Sequence, residues 1–84
     1  MHDIHAANQI LKLALKYAKK NKLKKLNKIK IELGFVVEHG LELLPENLKF
    51  NVKMLAKGTI AKNAKMIIKK SGKSGLRLLE IEGD

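Results

Sequence analysis

The sequence contains no cysteine and no tryptophan, and its aromatic residues are one tyrosine and two phenylalanines. Without cysteine it has no disulfide, no zinc–thiolate site and no cysteine nucleophile. No apolar run approaches the roughly 20 residues that span a bilayer, and the N-terminus lacks the apolar core of a signal peptide. These absences predict a soluble, cytoplasmic protein that is not a membrane protein.

Acidic residues are also scarce, with 8 against 18 lysines and arginines, which gives a formal net charge of +10. Such a surface favours an acidic partner: nucleic acid, a membrane surface or an acidic protein. Only one of the basic residues is an arginine, Arg77, and aromatic residues for base stacking are few, so specific nucleic-acid recognition is disfavoured. A small basic nucleic-acid-binding domain is the alternative function, and a steep loss of affinity with salt would favour it.

A chain of 84 residues forms one domain, residues 1–84, with a small aliphatic core. Periodicity predicts five elements in the order α-β-α-β-β: helices over about 4–20 and 46–57, and strands over about 27–33, 64–70 and 76–82. The strands that flank the second helix should be parallel neighbours through a right-handed crossover. The last two strands, joined by the short flexible turn 71–75, should form an antiparallel hairpin. The predicted fold class is α/β (α+β), a two-layer domain with two helices on a three-stranded mixed sheet.

Side-chain patterns give two further packing predictions. Phe50 and Met54 should form a second apolar ridge on the second helix, with Met54 as core filler. Leu79 and Ile81 should share one face of the last strand.

The first three residues, Met1-His2-Asp3, bring together nitrogen ligands for one metal ion. The terminal amine and the His2 amide close a five-membered chelate ring, and that amide with the His2 Nδ1 closes a six-membered one. Such a nitrogen set suits Ni(II) or Cu(II) better than Mg²⁺ or Ca²⁺. Asp3 is a plausible N-cap, so the helix would partly pre-organise His2. The alternative interpretation is a chance Met-His start that frays.

Two other histidines are weaker ligand candidates. His5 falls on the polar face of the first helix, three residues after His2, where it either approaches the metal or is simply solvated. His39 beside Glu38 is better explained as part of a polar loop.

No catalytic or cofactor-binding residues are predicted, and the chain is not expected to be an enzyme. Gly72-Lys73-Ser74 resembles the tail of a phosphate-binding loop, but Ile67 stands where that loop needs glycine, and a strand pattern follows instead of a helix.

In its order of motifs the chain resembles the HypA family, the hydrogenase/urease nickel-incorporation accessory proteins. The resemblance runs through most of the chain and is carried by short segments that are ordinary singly but fairly specific in this order: residues 1–3, 10–11, 29–34, 45–50, 58–61, 64–68 and 79–82.

The resemblance implies a nickel metallochaperone in hydrogenase maturation. His2 would be the principal nickel ligand with the backbone nitrogens around it, and Asp3 stands where the family usually has Glu. The implied partners are a HypB-like GTPase and the hydrogenase large-subunit precursor. Apart from the resemblance, we expect either a monomer or a domain-swapped dimer, formed by exchange of the terminal helix or by pairing of an exposed strand edge.

One large departure concerns zinc. Family members carry a zinc-binding segment with paired cysteines, whereas here the short linker 71–75 stands in its place, so no structural zinc is expected. Either the chain is a natural zinc-free relative, or the segment was removed and replaced by a Ser/Gly-rich linker.

Overall fold

A computed structural model of the chain describes residues 4–38 and 40–84, with the backbone alone for Ile4 and Glu38. The elements are α1 (Ile4–Lys20), β1 (Leu26–Phe35), β2 (Val37–Glu38), β3 (Leu41–Glu42), α2 (Pro45–Leu55), β4 (Lys65–Ser74) and β5 (Leu76–Gly83). Both helices and the three long strands confirm the predicted α-β-α-β-β order. The additional β2–β3 pair is a small antiparallel hairpin between β1 and α2. Among the described residues no helix is long and apolar enough to cross a membrane.

The three long strands form one mixed sheet in the order β4-β1-β5. β1 pairs in parallel with β4 and antiparallel with β5. The predicted parallel pair across α2 is therefore confirmed. The predicted hairpin between the last two strands is wrong, because β4 and β5 lie on opposite sides of β1 and do not pair with each other.

The crossing from β4 to β5 is made close to Gly34 of β1. The Gly34 amide donates to the Gly75 carbonyl at 2.8 Å, and the Gly75 amide donates to the Phe35 carbonyl at 3.2 Å. A Cβ on Gly34 would lie only 1.9 Å from the backbone oxygen of Lys73. Side chains alternate along a strand, so this approach is on the same face of the sheet as Glu32.

This crossing also changes the expected turn at 71–75. Ser71–Ser74 continue β4 as a strand, and only Gly75, with φ of 100°, lies between β4 and β5. Glycine reaches this left-handed conformation without a Cβ clash. A chain that crosses the end of β1 in this way cannot fold back beside β4 as a hairpin.

Both helices cover one face of the sheet, and the core lies between the two layers. β1 contributes Ile29, Ile31 and Leu33, which are at most 2% exposed. α1 faces them with small residues, because Ala7, Ala14 and Ala18 are fully buried. Alanines let the helix backbone approach the sheet closely, so a chain poor in aromatic residues can still bury its aliphatic core.

Two packing predictions are wrong. On α2 the buried residues are Leu48 and Val52, while Phe50 is 66% and Met54 39% exposed. Met54 therefore does not fill the core, because the covered stripe of this short helix is narrow.

On β5 the pairing shifts between Lys30↔Glu80 and Ile31↔Leu78, which leaves Leu79 as the extra residue of a β-bulge. Leu78 and Ile81 pack against the core and Leu79 is exposed. Because a bulge changes the side-chain alternation, Leu79 and Ile81 do not share a face.

Candidate functional site

His5 is the one predicted metal ligand that the structure describes. It lies in the first turn of α1 and is exposed, whereas the next two residues, Ala6 and Ala7, are buried. The side-chain amide of Gln9, one turn later, is 3.4 Å from the His5 Nε2. The helix therefore fixes the position of the His5 backbone and leaves its imidazole open to solvent.

The contact with Gln9 leaves His5 free to exchange partners. When the Gln9 amide donates to Nε2, the neutral imidazole carries its proton on Nδ1. A contact of 3.4 Å is long for a hydrogen bond, so it is easily replaced. A metal ion would displace Gln9 at Nε2 or the proton at Nδ1.

The other predicted ligands, Met1, His2 and Asp3, lie outside the described residues, and so do the Asp3 cap and His39. Within the part of the chain that is described, no three residues of the types His, Cys, Asp and Glu come together in a way that could hold a metal ion. The ligand set of the sequence analysis thus stays a prediction, with His5 as its described member.

The topology places the start of α1 at a defined end of the domain. Leu13, Tyr17 and Asn21 line a groove with β5 residues 78–81. Just after α1, the Lys24 amide donates to the carbonyl of Asp84 at the end of the chain. α1 therefore ends where β5 ends and begins toward the other end of the sheet. Along the helix axis, His5 lies about 24 Å from the start of the 21–25 connection.

The region that resembled a phosphate-binding loop is part of the sheet. Gly72, Lys73 and Ser74 belong to β4, and β5 follows instead of a helix. The strand after Ser74, in place of the helix that a phosphate-binding loop needs, confirms the strand predicted there.

The outer face of the sheet, away from the helices, carries ion pairs. Lys28 Nζ is 3.0 Å from the Glu82 carboxylate and 3.4 Å from that of Glu80. The hydrogen bond to Glu82, helped by the interaction with Glu80, raises the pKa of Lys28 above its usual value, and desolvation opposes this rise. The same hydrogen bond, with a second one involving Glu80, lowers the pKa of the Glu82 carboxyl. On this face Arg77 also pairs with Glu32 at 2.8 Å.

Sequence reasoning missed one feature, a lysine-lined groove between α2 and β4. Lys49 and Lys53 on α2 face Lys62 and Lys65 across a space of about 360 Å³. The i, i+4 spacing of Lys49 and Lys53 was a signal for one wall. The second wall could not be found without knowing that β4 runs at the edge of the sheet, beside α2.

The fold is shared with a known nickel-handling protein. The chain is similar to the solution structure of the Ni metallochaperone HypA from Helicobacter pylori, with a TM-score of 0.79 over 99% of this chain and 97% of that one. The two sequences are 14% identical, so this likeness establishes the class of fold alone.

The family follows from the sequence itself. The model of the HypA family, described as hydrogenase/urease nickel incorporation, metallochaperone, matches residues 1–75. The chain therefore belongs to the HypA family of nickel metallochaperones, as the resemblance indicated. A metallochaperone carries a metal and is not an enzyme, in agreement with the prediction. Comparison with curated protein sequences gives no match.

Proposed function

We propose that this chain binds one Ni(II) ion through the Met1 amine, the His2 amide nitrogen and the His2 Nδ1, and then transfers it. The observation that carries this proposal is the family match, which extends over residues 1–75 and so includes Met1-His2-Asp3. His5 also supports the proposal. Its side chain is exposed in the first turn of α1, directly after Met1-His2-Asp3 in the chain, and is proposed as a further ligand.

The chemistry of the donors decides between two geometries. If the His2 amide loses its proton, three nitrogens lie nearly in one plane around Ni(II), and exchange is slow. If His5, Asp3 or water ligates instead, the site becomes six-coordinate and more labile. The shorter carboxylate of Asp3 leaves the backbone chelate intact.

Handover requires an accessible site and a partner. In the proposed role the recipient takes the metal from Met1 and His2, and the core of the domain stays folded. In the proposed role a HypB-like GTPase assists delivery to the hydrogenase large-subunit precursor in the cytoplasm. The net charge of +10 favours encounter with acidic partner surfaces.

A nickel titration tests the proposal on the unmodified chain, His2→Ala, His5→Ala and a form with one extra N-terminal residue. We expect one nickel per chain, near-complete loss of binding for His2→Ala and for the extended form, and a smaller loss for His5→Ala. Calorimetry gives the affinity, and the visible d–d spectrum gives the geometry. Because nickel displaces protons from the amine and the imidazole, the affinity should rise between about pH 6 and pH 8.5.

His39→Ala is the matched control, since it removes an imidazole from the connection between β1 and α2 and should bind as the unmodified chain does. Equal binding by all forms, or binding by none, would contradict the N-terminal site. A loss confined to His5→Ala would move the site onto α1.

A further inference from the structure

The lysine-lined groove continues along one edge of the domain. Its first part is lined by Lys49, Lys53, the segment from Lys62 to Lys65, and Met66. A second space of about 360 Å³ adjoins it and is lined by Pro45, Glu46, Lys49, Met66 and Ile68. Lys49 and Met66 belong to both, so together they form one groove along α2 and β4.

The groove combines basic walls with an apolar floor. The four lysines are exposed, and Glu46, in the second part, is the one acidic residue among those that line the groove. Met66 on the floor is 7% exposed and belongs to the core, and Ala64 and Ile68 pack against that core. A ligand that fits both features carries negative charges and apolar side chains in one strip.

β4 forms the open edge beside this groove. It is an outer strand of ten residues, bonded to β1 on one side only. An outer strand presents backbone N–H and C=O groups to which another extended chain can bond. Lysines such as Lys65, Lys69 and Lys73 along β4 protect this edge against pairing with a second basic strand.

The charges select among the possible occupants. A second copy of this chain would bring its own net charge of +10, which opposes association. Duplex nucleic acid would meet the lysines, but the chain's single arginine lies on β5, outside the groove, and a phosphate backbone offers nothing to the floor at Met66 and Ile68. An acidic polypeptide satisfies walls, floor and strand edge together.

We propose that this groove binds an extended, acidic segment of a partner protein, which adds to β4 as a strand. Its carboxylates pair with Lys49, Lys53, Lys62 and Lys65, and its apolar side chains cover Met66 and Ile68. The proposal rests on the groove alone and stands whether or not the chain binds nickel at its N-terminus.

The test uses a fluorescent peptide of about ten residues, the length of β4, with Glu and Val or Thr in alternating pairs, so that each face of the strand carries both kinds of side chain. Two control peptides have Gln in place of Glu, or Pro at alternate positions, which keeps the charge but removes strand hydrogen bonds. Anisotropy gives the affinity, and hydrogen exchange reports protection of the β4 amides. The variant pair is Lys49→Glu/Lys53→Glu against Lys12→Glu/Lys16→Glu, which has the same spacing and charge change on α1.

We expect the α2 variant to bind the acidic peptide about tenfold more weakly or worse, and the α1 variant to change by less than about threefold. Binding should weaken with added salt, fail with the Gln and Pro peptides, and protect β4 amides. Thermal unfolding should show that both variants are folded.

Several results would overturn the proposal. They are no binding of the acidic peptide, equal losses in both variants, or binding of the Pro peptide as tightly as the Glu/Val peptide. Tighter binding of a short DNA duplex that depends on Lys49 and Lys53 would assign the groove to nucleic acid. Self-association lost in the Lys49→Glu/Lys53→Glu variant would assign it to a second copy.

Discussion

The two faces of β1 are built from alternate residues of one strand and serve different ends. On the inner face Ile31 and Leu33 are fully buried beneath the helices. On the outer face the Lys28 side chain is 28% exposed and the Glu32 side chain 18%. The inner face supplies the apolar burial that holds the domain together, whereas the outer face carries charge. We therefore expect substitutions at adjacent β1 positions to change the free energy of unfolding by very different amounts, because adjacent side chains lie on opposite faces.

The ion pairs on the outer face are partly exposed to water, which weakens them. Arg77 and Glu32 lie 2.8 Å apart, but the Arg77 side chain is 65% exposed, so the pair contributes under about 1 kcal/mol to the free energy of unfolding. By comparison, a fully buried isoleucine contributes several times as much. The two faces can therefore be separated by paired substitutions.

The largest effect should come from Ile31→Ala, compared with Lys30→Ala on the neighbouring outer position. Removing the Ile31 side chain leaves a cavity between sheet and helices and should cost about 3 to 4 kcal/mol in the free energy of unfolding. Lys30→Ala should cost less than about 1 kcal/mol. Urea denaturation followed by circular dichroism measures both. Similar losses for the two variants would mean that β1 does not have one buried and one solvated face.

The next largest effect should come from Gly34→Ala, because the backbone of Lys73 lies directly against Gly34 on the outer face of β1. The added methyl group would lie 1.9 Å from the Lys73 carbonyl oxygen, and backbone cannot move aside as a side chain does. We expect a loss of about 2 to 3 kcal/mol. Gly72→Ala is the control, because nothing lies within 4 Å of the new methyl group, and it should change stability by at most about 0.5 kcal/mol. A tolerated Gly34→Ala would show that β4 does not reach β5 across Gly34.

The sequence predicts those parts of the fold that depend on residues close together in the chain. It does not predict the parts that depend on contacts between distant residues. The stripe of α1 and the alternation of β1 are local, and their elements were predicted with the right type and nearly the right bounds. The crossing at Gly34 was not predicted, because it depends on which edge of β1 pairs with β4 and which edge pairs with β5. The short Ser/Gly-rich stretch 71–75 has the composition of a turn, although four of its residues are strand.

The site shows the same division. Met1, His2, Asp3 and His5 could be proposed as ligands from sequence because they are close together in the chain, and the assignment stays a prediction. The lysine-lined groove was not, since Lys49 and Lys65 meet only after β4 is placed beside β1 at the sheet edge. Leu79 was assigned to the wrong face because a bulge against Lys30–Ile31 cannot be read from one strand's own pattern.

The smallest effect concerns pH and the outer-face pair of Lys28 and Glu82. The pKa of Glu82 is lowered from 4.5 by its hydrogen bond with Lys28, so its stabilising contribution is present above about pH 4.5 and is lost as the pH falls through the lower folded-state value. The pKa of Lys28 is raised from 10.5, chiefly by the same bond, so its contribution is present below about pH 10.5 and is lost at higher pH. Between these limits the contribution should be constant.

Lys28→Gln measures this contribution as the difference in free energy of unfolding from the unmodified chain at each pH. That difference should be flat from about pH 5.5 to pH 9.5 and shrink on both sides. Lys12→Gln on α1 removes the same charge from the chain but should show no loss tied to Glu82 below pH 4.5. If the two lysine variants followed the same pH profile, the effect would belong to the overall charge of +10 and not to the ion pair. The outer face would then contribute to stability only through its net charge, while the inner face alone would specify how β1 is packed.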